Sequence, residues 1–275
     1  MASIPQPHRR VDVVVDGVAR WYLTAEPTAS DDASPHHRPV VVDLHGHAEG
    51  AIRHAGSTRF GDLGLREGFV TVTPQGSGMV ARWDIGAGSP DARFLLDLLD
   101  AVAGRADVDA DRIYVTGMSN GGVMATALAT WRPADIAGIG AVAGIWNAPT
   151  TASAGAVPAV IVHGTGDRVV RWDGGIESAQ TRIDTPPVEA TVTAYALCNG
   201  CTLPPAVDSL APDVERWSYR RRAPAVGGAV DFLRVIGGGH TWPGAAPVNA
   251  DRWGRTSSFD ATAAIWRFFD TEGRR

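Results

Sequence analysis

Short apolar runs alternate with helical segments along most of this chain, and this alternation constrains its fold more than any other feature. Because strands that alternate with helices usually pair in parallel, the pattern predicts an α/β fold with a mostly parallel central sheet and helices on both faces. The predicted strands cover residues 39–45, 69–73, 112–116, 136–142, 157–163 and 230–236. The predicted helices cover residues 91–103, a segment that ends near 131, 189–197 and 260–269.

The N-terminal segment has a different pattern. Residues 11–15 and 20–24 alternate between apolar and polar side chains on either side of Asp16-Gly17, a dipeptide that favours a tight turn. These segments predict an antiparallel hairpin, and the polar segment 27–39 predicts a loop. We find no internal repeat and no linker that would divide the chain, so we expect one domain over residues 1–275.

The composition argues against several kinds of partner. The 275 residues are 44% hydrophobic and 20% charged, which is typical of a globular protein. A net charge of −5 and a single dense basic run, at 220–222, argue against a nucleic-acid partner. No segment approaches the ~18–20 continuous apolar residues of a membrane helix, so we expect no membrane span.

Reactive side chains follow four of the predicted strands. His45 and His47 lie at the end of one strand, and Ser119, Asp167 and His240 each come shortly after a later one. In parallel sheets the ligand-binding crevice lies at the carboxyl ends of the strands. We therefore expect these side chains to lie close together.

Ser119 is the predicted nucleophile. It is the centre of a Gly-x-Ser-x-Gly sequence at 117–121, between an apolar strand and a helix, where glycines permit a sharp turn that raises the serine hydroxyl above the sheet. The backbone N–H of Asn120 is then available at the helix N-terminus to stabilise an oxyanion. We expect the N–H of His47 to be the second donor.

A serine hydroxyl needs an imidazole to take its proton, and that imidazole needs a carboxylate to fix its tautomer. His240 is the predicted base and Asp167 the predicted acid, because the chain order serine, acid, histidine suits a turn of this kind. The rivals are one histidine in a strand end and two acids farther from a strand end: His163, Asp173 and Asp184.

Cys198 and Cys201 form a Cys-x-x-Cys in a predicted loop. Too few further ligands lie near this pair in the sequence for a zinc site. We expect a local disulfide, with a reduced pair or redox catalysis as alternatives. We expect neither a metal nor a cofactor.

The chain resembles the α/β-hydrolase esterases of the polyhydroxybutyrate depolymerase and feruloyl esterase group, which are similar to carbohydrate esterase family 1. The resemblance rests on Leu-His-Gly at 44–46, Asp-Arg-Ile-Tyr-Val-Thr-Gly-Met-Ser-Asn-Gly-Gly at 111–122, Val-His-Gly-Thr-Gly-Asp at 162–167 and Gly-Gly-Gly-His-Thr-Trp-Pro-Gly at 237–244. It implies a single α/β-hydrolase domain in which Ser119 is the nucleophile, His240 the base and Asp167 the acid.

The same resemblance implies a serine carboxylic-ester hydrolase that acts on small or polymeric esters, such as polyhydroxyalkanoates or the feruloyl and acetyl esters of plant polysaccharides. It also implies an extracellular enzyme. Residues 1–10 lack the apolar core of a signal peptide, which leaves a cytoplasmic location as the alternative.

Three tryptophans follow strand ends on the expected side of the sheet: Trp83, Trp172 and Trp242. Because aromatic rings stack well on sugars and aromatic acyl groups, we expect these tryptophans to contact substrate, the alternative being a place in the core.

Two other functions stay open. One is a metal-dependent hydrolase that uses His45 and His47. The other is a non-catalytic binding protein built on a hydrolase fold.

Overall fold

The computed structural model describes residues 4–27, 37–145, 156–177, 182–222, 228–246 and 249–274. The strands are β1 (Arg9–Val15), β2 (Val18–Ala25), β3 (Arg38–Leu44), β4 (Val70–Pro74), β5 (Val108–Met118), β6 (Gly138–Val142), β7 (Ala159–Gly164), β8 (Ile176–Glu177), β9 (Arg182–Ile183), β10 (Ala206–Ala211), β11 (Val214–Tyr219) and β12 (Val230–Val235). The helices are α1 (Ala51–Thr58), α2 (Phe60–Glu67), α3 (Pro90–Ala103), α4 (Asn120–Trp131), α5 (Val188–Cys198), α6 (Ala250–Trp253) and α7 (Ala261–Glu272).

One large sheet has the strand order β1-β2-β4-β3-β5-β6-β7-β12-β11-β10. Its six central strands, from β4 to β12 in that order, pair in parallel. The strands at both edges pair antiparallel, and β1 and β2 form the N-terminal hairpin. The predicted mostly parallel sheet and N-terminal hairpin are therefore confirmed.

Helices cover both faces of this sheet. On β3, Val40 and Val42 belong to an apolar cluster that includes side chains of α3, α4 and α5, whereas Val41 belongs to a second cluster with α2 and α7. Successive residues of a strand point to opposite faces, so a continuous apolar run is what a strand covered on both sides requires. Among the described helices, none is both long and apolar enough to cross a membrane.

The apolar pattern does not predict α1, α2 or the antiparallel pair β10–β11. Helix α2 contains Gly61 and Gly64, which lower helix propensity. Both glycines permit close packing, because a Cβ on Gly61 would lie 2.4 Å from the ring of His8 and one on Gly64 would lie 2.6 Å from the carbonyl oxygen of Phe69. The predicted loop 27–39 falls largely outside the described residues, and β3 begins within it.

The predicted disulfide is not formed in the structure, which holds both cysteines as thiols. Cys198 ends α5, and the buried Cys201 thiol donates to the carbonyl oxygen of Gly228 at 3.2 Å. Burial raises the pKa of the Cys201 thiol, so the neutral form is favoured. The Cys-x-x-Cys is therefore a reduced pair at the end of a helix.

Candidate active site

Ser119 lies at the turn between β5 and α4. Its φ of 52° and ψ of −118° are rarely adopted by residues other than glycine, and such a conformation costs about 1–3 kcal/mol. The Ser119 N–H donates to the carbonyl oxygen of Val142 at 2.8 Å. A Cβ at position 121 would lie 2.1 Å from the carbonyl oxygen of Leu44, so only glycine permits this approach of α4 to β3. The turn therefore has the geometry that the Gly-x-Ser-x-Gly sequence predicts.

The three predicted side chains are joined by hydrogen bonds. His240 Nε2 lies 3.0 Å from Ser119 Oγ, and His240 Nδ1 lies 2.8 Å from Asp167 Oδ2. With Nδ1–H donating to the carboxylate, Nε2 has a lone pair that can accept the serine proton. Asp167 Oδ1 accepts the N–H groups of Val169 and Val170 at 2.8 and 2.9 Å, which orients the carboxylate. The arrangement can deprotonate Ser119 and hold the resulting imidazolium.

The rival residues take other places. The buried His163 ring has its Nε2 2.9 Å from the carbonyl oxygen of Val170 and 3.5 Å from Asp167 Oδ2, and burial lowers its pKa. Asp173 and Asp184 line a cavity of about 280 Å³, and no residue of the Ser119–His240–Asp167 chain lines it. Their position gives no support to a role as the acid partner of His240.

The two predicted oxyanion donors are the backbone N–H groups of His47 and Asn120. Asn120 follows Ser119 directly as the first residue of α4. His47 is exposed in the loop after β3, beside the nucleophile, because a Cβ on Gly46 would lie 3.7 Å from Ser119 Cβ. Within the described part of the chain, neither N–H donates a hydrogen bond to another residue. The role of these two N–H groups as oxyanion donors stays a prediction.

The His45 side chain is engaged by the backbone on both sides. Its Nδ1 donates to the carbonyl oxygen of Gly46 at 2.7 Å, and its Nε2 accepts the Gly76 N–H at 2.9 Å. Burial lowers the pKa of His45 to about 4, so the ring is neutral. Among the described residues, no three or more His, Cys, Asp or Glu side chains are grouped to hold a metal ion. The geometry therefore gives the metal-dependent alternative no support.

A buried charged network lies behind the His47 loop. His54 Nδ1 lies 2.9 Å from Glu49 Oε2, and His54 Nε2 lies 2.9 Å from Asp43 Oδ1. Burial opposes a charge on His54, but the two carboxylates outweigh it and raise its pKa to about 10. Burial also opposes ionisation of Glu49, but the charge of His54 lowers its pKa to about 2. Sequence reasoning missed this network, because residues 43, 49 and 54 share no motif.

The two buried histidines should therefore differ in charge. We expect ¹⁵N-edited NMR of the ring nitrogens to show His54 as an imidazolium at pH 8 and His45 as a neutral ring at pH 5. The sign follows from the environment, because two carboxylates face His54 while burial alone dominates at His45. A neutral His54 at pH 8, or a charged His45 at pH 5, would contradict this description.

The predicted contact of two tryptophans with substrate is wrong. Trp242 is 3% exposed; its ring packs edge-on against Phe60, and its Nε1 donates to Thr262 Oγ1 at 3.0 Å. Trp83 is 2% exposed and donates from Nε1 to the carbonyl oxygen of His45 at 2.9 Å. Both rings belong to the core: Trp242 lies in the apolar cluster with side chains of α2 and α7, and Trp83 lies in the cluster with side chains of α3, α4 and α5. The alternative to substrate contact, a place in the core, applies to these two.

Trp172 is half-buried, so its contact with substrate stays a prediction. Its ring stacks on Phe232 at a centroid distance of 5.8 Å, and the guanidinium of Arg234 lies 5.2 Å from it.

Sequence reasoning missed Trp253, a half-buried ring stacked on His240 at 5.9 Å. Its carbonyl oxygen accepts the His240 N–H at 2.6 Å. Thirteen positions separate the two residues, and no local pattern relates them.

The sequence is similar to those of known esterases. Residues 27–154 match the family described as esterase PHB depolymerase. The chain is 31% identical to “Putative esterase NocK” of Nocardia uniformis subsp. tsuyamanensis, over 85% of this chain and 73% of that protein. It is 32% identical over 119 residues to poly(3-hydroxyalkanoate) depolymerase C of Paucimonas lemoignei, a match that covers 40% of this chain and 28% of that protein.

The fold also occurs among solved structures. An acetyl xylan esterase from Aspergillus awamori superposes with a TM-score of 0.61 at 16% identity, over 89% of this chain and 97% of that one. At this identity the likeness concerns the fold, which is that of the α/β-hydrolases. The family match and the 31% identity along most of both sequences go further. The chain belongs to the PHB depolymerase family of esterases and is a carboxylic ester hydrolase.

Proposed function

We propose that the chain is a serine esterase that works through an acyl-enzyme intermediate. The observation that carries this proposal is the unbroken hydrogen-bond chain from Ser119 Oγ through His240 to Asp167 Oδ2. This chemistry needs a nucleophile, a base within reach of its proton and a group that fixes the base. A non-catalytic binding protein would not require this arrangement.

In the first half of the reaction, Ser119 Oγ attacks the ester carbonyl carbon while His240 Nε2 takes the serine proton. Negative charge develops on the carbonyl oxygen, and the N–H groups of His47 and Asn120 stabilise it. Asp167 stabilises the His240 imidazolium through Nδ1–H. His240 then gives the proton to the leaving alcohol oxygen, which leaves the acyl group esterified to Ser119.

In the second half, water takes the place of the alcohol. His240 Nε2 accepts a proton from the water as the oxygen attacks the acyl carbon, and the same two N–H groups stabilise the second oxyanion. The proton returns to Ser119 Oγ as the acyl bond breaks. The carboxylic acid is released and the free enzyme is restored.

The substrates we propose are polyhydroxyalkanoate-type esters or the acetyl and feruloyl esters of plant polysaccharides. The name of one relative, a poly(3-hydroxyalkanoate) depolymerase, supports the first class, and the shared fold with an acetyl xylan esterase is compatible with the acetyl esters. The feruloyl esters follow from the resemblance in sequence alone. We propose an extracellular enzyme, as the resemblance to the depolymerase and esterase group implies. We also propose that the chain is one catalytic domain, 1–275, because a single sheet takes in strands from Arg9 to Val235.

A panel of esters tests this proposal. Oligomers of 3-hydroxybutyrate, acetylated xylo-oligosaccharides, methyl ferulate and a short-chain p-nitrophenyl ester would each be incubated with the enzyme, with and without a metal chelator. We expect hydrolysis of the p-nitrophenyl ester and of at least one natural-type ester, with rates unchanged by the chelator. Loss of activity with the chelator would contradict the serine mechanism. Hydrolysis of the p-nitrophenyl ester alone would contradict the proposed substrate range.

A further inference from the structure

The loop that presents the His47 N–H is held by a carboxylate. Glu49 Oε2 accepts the Gly46 N–H at 3.1 Å. The Gly46 carbonyl oxygen, on the other side of the same residue, accepts from His45 Nδ1 at 2.7 Å and from the Glu49 N–H at 3.3 Å. Both peptide groups around Gly46 are therefore fixed. The second of these peptide groups joins Gly46 to His47. Because it is planar and trans, the His47 N–H points opposite to the Gly46 carbonyl, so fixing this carbonyl also fixes the direction of the N–H.

Glu49 is in turn held by buried groups. His54 donates to Glu49 on one side and to Asp43 on the other, and Thr58 Oγ1 donates to Asp43 Oδ2 at 2.6 Å. His54 and Asp43 are fully buried, while 16% of the Glu49 side chain is exposed. A neutral imidazole can donate from only one nitrogen, so the two carboxylates require a charged ring. The network thus anchors the loop to β3 and α1.

The same network lies against the loop of the base. The His54 ring packs edge-on against Trp242 at a centroid distance of 5.8 Å. Trp242 Nε1 donates to Thr262 Oγ1, which donates to the carbonyl oxygen of Thr58 at 2.6 Å. Trp242 is two residues from His240, so His54 lies between the segments that carry the second oxyanion donor and the base. This explains why Trp242 is buried beside the site instead of forming its wall.

We propose that Glu49, supported by His54 and Asp43, is a positioning residue that fixes the His47 N–H toward the oxyanion of the ester. This inference rests on the proposed serine mechanism. Fixed donors stabilise a transition state because they need no reorganisation as charge develops. A loop without the Glu49 carboxylate would still fold beside Ser119, but its N–H would sample several directions. The effect should therefore fall on the transition state more than on substrate binding.

The test compares Glu49→Ala, Glu49→Gln and the matched control Glu26→Gln. Glu26 is a part-exposed carboxylate paired with Arg9 and Arg105, outside the candidate site. We expect Glu49→Ala to lower kcat about 10- to 100-fold with KM changed less than threefold, since loss of a whole oxyanion donor costs about 10²–10³-fold. Glu49→Gln, which keeps an acceptor for the Gly46 N–H, should lose less. The kcat and KM of Glu26→Gln should equal those of the wild type.

Two further readouts separate positioning from a general loss of structure. An alkyl boronic acid forms a tetrahedral adduct with a serine nucleophile, and its affinity should fall in Glu49→Ala by about the same factor as kcat. NMR hydrogen exchange should show faster exchange at the Gly46 amide in Glu49→Ala, while the amides of the central strands stay protected as in the wild type.

The outcomes distinguish the two proposals. Unchanged Gly46 exchange in Glu49→Ala, or unchanged kcat and boronate affinity, would overturn the positioning role while leaving the serine mechanism intact. The serine mechanism, and with it this inference, would be overturned by two results together. One is ester hydrolysis by the wild type that boronate does not inhibit, and the other is undiminished hydrolysis by Ser119→Ala. Faster Gly46 exchange together with parallel losses in kcat and boronate affinity would support both.

Discussion

Replacing Ser119 with alanine is expected to lower kcat/KM for a short-chain ester by about 10⁵-fold, because no other group in the Ser119–His240–Asp167 chain can form the acyl enzyme. The fold should be retained. The strained backbone at 119 is compatible with alanine, and the close packing around it depends on glycines at 117 and 121 and not on the hydroxyl. Steady-state kinetics, circular dichroism and a melting curve together measure both expectations.

Ser218→Ala is the matched control, because this half-buried serine lies on β11, near the far edge of the sheet. Its activity should equal that of the wild type. Ester hydrolysis by Ser119→Ala at more than about one hundredth of the wild-type rate would contradict the assignment of the nucleophile.

Asp167→Asn is expected to lower kcat about 10³- to 10⁴-fold while KM changes little. The geometry predicts how the loss arises. The N–H groups of Val169 and Val170 both donate to Oδ1, so the asparagine must keep its oxygen there. Its NH₂ group then faces His240 Nδ1 and donates to it. The imidazole proton is forced onto Nε2, which can no longer accept the proton of Ser119.

The control for this substitution is Asp231→Asn, which removes a buried aspartate paired with Arg220 outside the candidate site. We expect Asp231→Asn to lower the melting temperature, while its kcat stays close to that of the wild type. A loss of less than tenfold in Asp167→Asn would contradict the role of Asp167. A large loss in Asp173→Asn or Asp184→Asn instead would identify the acid partner with one of these rivals.

The sequence predicts the parallel core of the fold well, because its strands are covered on both sides and are therefore mostly apolar. Residues 39–45 and 157–163 are such runs, and they correspond to β3 and β7. Strand β10 lacks this signal, since its side chains are mostly exposed at the edge of the sheet. Apolar pattern alone cannot distinguish an exposed edge strand from a loop.

The candidate site also has one part that the sequence predicts and one part that it does not. Ser119 lies in a local turn whose glycines can be recognised in the sequence, and the place of Asp167 and His240 follows from strand ends that meet at one edge of the sheet. The Asp43–His54–Glu49 network depends on three side chains brought together by the packing of α1 on β3. The two carboxylates that face His54 keep it charged against the effect of burial, and this contact has no counterpart in the sequence pattern.

Trp242 shows the limit of reasoning from neighbours in sequence. It follows His240 by two positions, which suggested the cleft, but the chain turns after His240 and carries the ring into the core near α2 and α7. Trp253 is distant in sequence and yet stacks on His240. Proximity to a reactive residue along the chain therefore does not determine which aromatic ring lies beside it.

The most direct test of the serine mechanism is to trap and locate the acyl or phosphonyl group on the enzyme. The wild type would be treated with a fluorophosphonate, digested, and examined by peptide mass spectrometry alongside Ser119→Ala and Asp167→Asn. We expect one adduct per chain, on the peptide that contains Ser119, absent in Ser119→Ala and formed much more slowly in Asp167→Asn. An adduct on another residue, or full ester hydrolysis by an enzyme that forms no adduct, would contradict the assignment of Ser119, His240 and Asp167.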